Sequence, residues 1–311
     1  MKKPGPPPVR AAVLLTAYGG PACLKDVPAY LASVREGRPV SEELLKEFME
    51  RYRRIGGGSP MTRTLQALCR EFAAAFDADV YLGCKHCEPS IEQAVDRLIA
   101  DGHRTVLCLP LSPYGSSMTD QDYQARARAA ARARKADLAF LPPPSWHAHP
   151  LLIEAYADRL GRSLALVPED LRSRTLTLFT AHSLPVSISE EGDPYAEELR
   201  ITAVGVAARA GAQEWMLAYQ SRPACAKGRW LGPDAGEVIA RVAASGMKAV
   251  VLDPIGFLIE NLETLYDCDI MFQEAARKAG LSFFRVPALD DSPYLVRALA
   301  AVARSVFVPL S

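Results

Sequence analysis

The 311-residue chain has no excess charge of either sign: thirty-six Lys and Arg are matched by thirty-six Asp and Glu. Without net charge there is no long-range pull toward nucleic acid. It also lacks an apolar run approaching the ~20 residues that a membrane span requires. The opening MKKPGPPPVR carries charge but no apolar stretch of the kind a secretory signal needs, so a loose tail is expected there. The seven cysteines are odd in number and scattered, which argues against a disulfide framework and for a reducing cytoplasm. No GxGxxG or Walker loop follows any apolar run, so nucleotide binding has no support.

What the chain does have is an internal echo. AAVLLTAYGGP near the start aligns with TLTLFTAHSLP, setting Thr16-Ala17-Tyr18 on Thr180-Ala181-His182 and Pro21 on Pro185. Downstream, Gly102, Val106 and Pro110 recur as Gly246, Val250 and Pro254, while VYLGCKHCEP and EWMLAYQSRP are each an apolar run closed by proline. A repeat unit of half the chain implies a duplicated domain. Apolar runs predict strands near 12–18, 79–84, 105–111, 138–141, 175–181, 215–219, 248–253 and 282–286. Helical patterns such as SEELLKEFMERY and SIEQAVDRLIADG lie between them. Alternation of this kind means α/β architecture with parallel sheets. The proline cluster LPPPSWHAHP marks the passage between domains, giving an N-terminal domain over 1–143 and a C-terminal domain over 144–311, whose last helix can pack back on the first.

Ligands bind at the carboxyl ends of strands in open parallel sheets, and His182 stands at such an end. A lone histidine there is commonly structural; a carboxylate partner changes the reading. In DPIGFLIENLETLYDCDI, Glu260, Glu263 and Asp267 at i, i+3 and i+7 predict a row on one helical face beginning at another strand end. One imidazole and one carboxylate with open positions bind a divalent cation weakly, which suits a metal that is handed over rather than kept. In the other half, Tyr18 can stack, donate a hydrogen bond or ligate as phenolate. Arg35, Arg38, Arg51, Arg53 and Arg54 form a guanidinium cluster suited to carboxylates, with Arg53 and Arg54 read as ordinary helix surface.

The segments AYGGP, RYRRIGGGSP, YLGCKHCEPSIEQAV, FTAHSLP, GDPY, WLGPD and ENLETLYDCD occur in the order seen in ferrochelatases, and the chain resembles that family over nearly its full length. The resemblance implies two similar Rossmann-like domains with a deep cleft between them, and insertion of ferrous iron into a porphyrin in haem biosynthesis. It implies that His182 and Glu263 are the metal-handling, catalytic pair. It further implies that Tyr18 faces the metal from the opposite side of the macrocycle, as in the coproporphyrin branch, with Arg35, Arg51, Tyr52, Ser59 and Tyr123 on the porphyrin carboxylates. Protoporphyrin-specific relatives tend to carry methionine at the place of Tyr18. The long N-terminal lip and C-terminal extension of membrane-associated relatives are not found, which favours coproporphyrin III. His86 and Asp267 are secondary candidates.

The chain departs from the family in several places. Tyr114 in PYGSS replaces a histidine, and Met271 interrupts the acidic row where some relatives continue it. Cys84 and Cys87 form C-x-x-C around His86, a spacing with little metal specificity by itself. Relatives with a 2Fe–2S cluster commonly use C-terminal cysteines, and none follows Cys268 here, so no cofactor beyond substrate iron is expected. The arginine run QARARAAARARK reads as a solvated helix face. A monomer binding porphyrin and ferrous iron is expected; protoporphyrin use, a cobalt or nickel chelatase and a non-catalytic porphyrin or haem carrier remain the alternatives.

Overall fold

The computed structural model describes residues 12–223 and 227–307; the expected tail at residues 1–10 and Cys225 lie outside them. Two four-stranded parallel sheets are present. The first contains β1 (Ala12–Ala17), β2 (Asp79–Cys84), β3 (Thr105–Pro110) and β4 (Ala139–Leu141) in the order β2-β1-β3-β4. The second contains β5 (Thr175–His182), β6 (Trp215–Gln220), β7 (Ala249–Asp253) and β8 (Ser282–Arg285) in the order β6-β5-β7-β8. The shared order is the structural form of the sequence repeat, and all eight strands fall where the apolar runs predict them.

Burial explains why these runs are strands. β1 has every residue buried and β5 all but its last, because each lies inside its sheet with helices on both faces. Outside the first sheet, the helices Ile91–Ala100 and Asp120–Ala133 close an outer core with Leu14, Val106 and Cys108. The outer face of the second sheet is closed by Ala235–Val242 and Gln273–Lys278. The largest core lies between the sheets: Leu15 and Leu107 join Phe179 and Val251 through Leu160, Leu199 and Leu299 of the intervening helices. The final helix, Pro293–Phe307, packs on both Met61–Phe76 and Pro150–Ala165, and the Arg304 guanidinium donates to the Ala75 carbonyl at 2.9 Å.

One part of the predicted repeat needs correction. The proline equivalent to Pro89 is Pro233, not Pro223. Cys84 N–H donates to the Pro89 carbonyl and Tyr219 N–H to the Pro233 carbonyl, each at 2.8 Å. The next residue in each case, Ser90 or Asp234, caps the following helix with its side chain. A longer loop separates β6 from that turn, so counting along the sequence slips to the wrong proline.

Between the halves, Asp193 of GDPY works as a latch. Its Oδ2 accepts from Ser116 Oγ at 2.9 Å, Ser117 N–H at 2.9 Å and Ser117 Oγ at 3.1 Å. Beside it, Gly115 N–H donates to Glu198 at 2.6 Å, and the buried Tyr114 hydroxyl donates to the Ile255 carbonyl at 2.8 Å. Tyr114, which departs from the family pattern, is therefore a bridge between the halves.

Candidate active site

β5 delivers His182 to the cleft as its last residue, and the Tyr195 hydroxyl fixes it there by donating to the His182 carbonyl at 3.0 Å. Glu263 opens the helix Glu263–Phe272, where Asn261 Oδ1 accepts from the N–H groups of Glu263 at 2.8 Å and Thr264 at 3.3 Å. These two anchored backbones bring His182 Nδ1 to 3.0 Å from Glu263 Oε2, with each side chain 34% exposed. Burial disfavours the charged imidazole, but the Glu263 carboxylate, its hydrogen bond and the nearby Asp267 outweigh it. The His182 pKa is raised above its ordinary 6.5.

The expected acidic row is not formed. Glu260 precedes the helix and turns away, pairing with Arg285 and accepting from Ala288 N–H at 2.8 Å. The helix itself is a ten-residue π-helix, so α-helical spacing does not describe its faces. Wider turns leave Glu263 and Asp267, four apart, near the same imidazole. Asp267 Oδ2 accepts from Ser221 Oγ at 2.6 Å. Burial, and then the like charge of Glu263, raise the Asp267 carboxyl to about 6 against the lowering effects of Ser221, Arg51 and His182. Ser221 adopts φ +62°, a left-handed conformation that costs energy for a residue with a Cβ.

Tyr18 follows β1 and is 40% exposed. Desolvation, then the Glu263 and Glu36 carboxylates, push its phenol up to about 12, so it enters the cleft protonated. Its ring packs edge-on against His86 at 4.5 Å. His86 is only 6% exposed, and its Nδ1 hydrogen-bonds with Ser33 Oγ at 2.9 Å, so the ring buttresses Tyr18. Burial, followed by the Lys85 and Arg126 charges, brings the His86 pKa down to about 4.

The residues expected on porphyrin carboxylates are brought into one region but not equally displayed. Arg51, on the helix Glu42–Arg54, pairs with Glu47 at 2.5 Å and lies over the Tyr266 ring at 5.2 Å. Arg35 follows the helix Val27–Val34, and its Nε is buried without a hydrogen-bond partner. Tyr52 is 1% exposed beneath the Glu42–Arg54 helix, edge-on to the Tyr30 ring with centroids 6.4 Å apart and within the field of Glu263 and Tyr18. Ser59 is buried, its Oγ accepting from Met61 N–H at 3.2 Å. Tyr123 is buried in the outer core, within the field of Tyr18. Arg53 and Arg54 are both exposed; Arg53 pairs with Glu50, while Arg54 donates to the Tyr266 hydroxyl at 3.3 Å and stacks on that ring.

Sequence reasoning missed Tyr30, Ser221, Tyr195 and Tyr266. The first two carry no spacing signal, and the tyrosines act through contacts across the fold. The six described cysteines are free, and among the described residues no three His, Cys, Asp or Glu side chains gather to hold a metal ion. No helix is long and apolar enough to cross a membrane, among the described residues.

The sequence profile of the Ferrochelatase family matches residues 10–306. A ferrochelatase of Deinococcus radiodurans is 38% identical over 297 residues, covering 93% of this chain and 94% of that protein. The coproporphyrin III ferrochelatase of Anoxybacillus flavithermus is 34% identical, covering 93% and 94%. Among solved structures, SirB from Bacillus subtilis with Fe3+ superposes with a TM-score of 0.61 at 13% identity, covering 96% of each chain, which speaks to the fold. A duplicated chelatase fold, a His–Glu pair at the second strand end and full-length similarity to ferrochelatases lead to one assignment: this chain belongs to the ferrochelatase family.

Proposed function

We propose that this chain inserts ferrous iron into a porphyrin, using coproporphyrin III in preference to protoporphyrin IX. The observation that carries the reading is the His182–Glu263 hydrogen bond of 3.0 Å at a strand end whose counterpart in the other half bears Tyr18. Glu263 occupies Nδ1, so Nε2 is the ring nitrogen left for a pyrrole proton or for iron. Two pyrrole protons must leave as the metal enters, and a neutral imidazole with an adjacent carboxylate is suited to accept them. Two ligands of this kind hold a divalent ion loosely enough to release it.

In this reading residues 1–143 hold the macrocycle and residues 144–311 supply the His–Glu side. Tyr18 stands on the opposite face of the ring from His182. Arg35, whose buried Nε has no acceptor, and Arg51 take porphyrin carboxylates, with Tyr52, Ser59 and Tyr123 as further donors. Binding energy from those carboxylates supports bending of the ring, which exposes its nitrogen lone pairs to iron. Iron is the substrate and no resident cofactor takes part. The protein acts as a monomer in the cytoplasm.

The His182→Ala variant tests the reading. Anaerobic iron insertion should be lost, while fluorescence-quenching titration shows porphyrin binding within a few-fold of the parent. Near-normal turnover would overturn the assignment.

A further inference from the structure

β2 is the outermost strand of the first sheet, with β1 as its single strand neighbour. Successive residues of a strand in a parallel sheet turn their backbone groups to alternate sides. Lys85 N–H donates to the Ala17 carbonyl at 2.9 Å, toward β1, and Cys84 N–H donates to the Pro89 carbonyl at 2.8 Å, on the far side. By that alternation the N–H and C=O groups of Val80 and Leu82 point away from β1. Among the described residues they meet no hydrogen-bond partner there. The usual guards of an edge strand, a proline or a lysine, are missing from its sequence DVYLGC.

This edge is recessed between two helices that cover opposite faces of the sheet. Leu65 and Leu68 of Met61–Phe76 pack in the core between the sheets, and Ile91 and Ala94 of Ile91–Ala100 pack in the outer core. Arg70 from the first helix and Arg97 from the second border, with Val80 and Leu82, a concavity of about 880 Å³. The acidic side chains of this groove are already engaged: Asp96 pairs with Arg134, and Glu88 accepts from Gln93 Nε2 at 3.2 Å. Its basic ones are not. Arg70 and Arg97 are exposed, and among the described residues neither guanidinium has an ion pair or a hydrogen bond. Two uncommitted cations, one on each face of the sheet, thus flank uncommitted backbone donors and acceptors.

We propose that the β2 edge is a docking site for an extended acidic peptide of a partner protein, added as a further strand of the first sheet. Val80 and Leu82 each supply one donor and one acceptor to its backbone. Side chains of an added strand alternate between the two faces, so acidic residues adjacent in sequence meet Arg70 on one face and Arg97 on the other. Guanidinium forks take carboxylates bidentately. The partner segment is therefore free of proline and carries neighbouring Asp or Glu residues among β-branched ones. A second copy of this chain is a poor fit, because its own β2 edge is recessed in the same way. None of the residues bordering the groove is among those assigned to the cleft.

The test is a fluorescence-anisotropy titration of fluorescein-labelled Thr-Val-Glu-Glu-Val-Thr with the full-length protein, carried to about 1 mM. Saturable binding is expected, and Arg70→Glu and Arg97→Glu should each weaken it by about tenfold or more. Thr-Val-Lys-Lys-Val-Thr should not bind. Neither should the acidic peptide with N-methylated backbone amides, which keeps its charges and loses its donors. Hydrogen–deuterium exchange should slow across residues 79–84 when the acidic peptide is bound. No binding, equal binding of the N-methylated peptide, unchanged affinity in either variant, or protection confined to other segments would overturn the proposal. So would protection of residues 79–84 that rises with protein concentration in the absence of peptide, since a second copy would then hold the edge.

Discussion

Glu263 and Asp267 both influence His182, but they stand in different relations to it. Glu263 bonds the imidazole directly, whereas Asp267 is tied to Ser221 and acts through its field. A histidine that must be neutral to take a proton, yet whose pKa is raised, gives activity that grows as pH climbs through that pKa. In Glu263→Gln the raising charge is removed and burial prevails, so the His182 pKa falls, an outcome an NMR titration reads directly. Turnover should still fall by roughly 10²-fold or more, because a proton acceptor is gone. Asp267→Asn should cost less than about tenfold by the same measure. A reversed order would place the inner metal site further along the helix.

Asp253 offers an independent check on the electrostatics of the second half. It is buried at the end of β7 with Oδ2 unpartnered, and burial raises its pKa to about 8 in spite of Arg285. A carboxyl with a raised folded-state pKa keeps its proton in the fold when the unfolded chain has lost it. Stability is therefore present at low pH and declines, by at most ~1.4 kcal/mol per unit, as pH rises from about 4 toward 8. Asp253→Asn should flatten that decline in urea unfolding measured between pH 5 and 9. An unchanged pH profile would mean that Asp253 does not titrate in this window.

At the level of elements, the helix Glu42–Arg54 lies over the cleft and touches the π-helix through Arg51, Arg54 and Tyr266. A porphyrin carboxylate reaching Arg51 has to displace Glu47, and one reaching Tyr52 needs this helix to lift. Arg51→Ala should then raise the porphyrin KM, by the equivalent of about 1–3 kcal/mol, with little effect on the iron dependence. Equal affinity in the variant would return Arg51 to a structural role. The strands were legible because β1 and β5 are buried on both faces, a condition that writes itself into sequence as unbroken apolar runs. The π-helix was not: its wider turns follow no spacing that α-helical counting detects, and its start at Glu263 left no mark either, so Glu260, which precedes the helix and pairs with Arg285, was counted onto its face. The loop after β6 hid the equivalence of Pro89 and Pro233 for a simpler reason, its extra length.

For the whole molecule, the duplication explains why the site has two unlike sides. Equivalent strand ends, β1 and β5, deliver Tyr18 and His182 to one cleft, while Asp193, Tyr114 and the shared core hold the halves together. The histidine and its glutamate were legible from a strand end and a motif. The supports at Tyr195, Ser221 and Tyr30 were not, since contacts between distant segments leave no mark on local sequence. The central claim, iron insertion with a preference for the porphyrin of four propionates, is carried by the His182–Glu263 pair at a strand end whose counterpart bears Tyr18. Its most direct test is anaerobic turnover with ferrous iron and either coproporphyrin III or protoporphyrin IX, compared by kcat/KM. The account predicts insertion into coproporphyrin III with the higher kcat/KM; a higher value for protoporphyrin IX would contradict the preference, and no insertion into either would contradict the function.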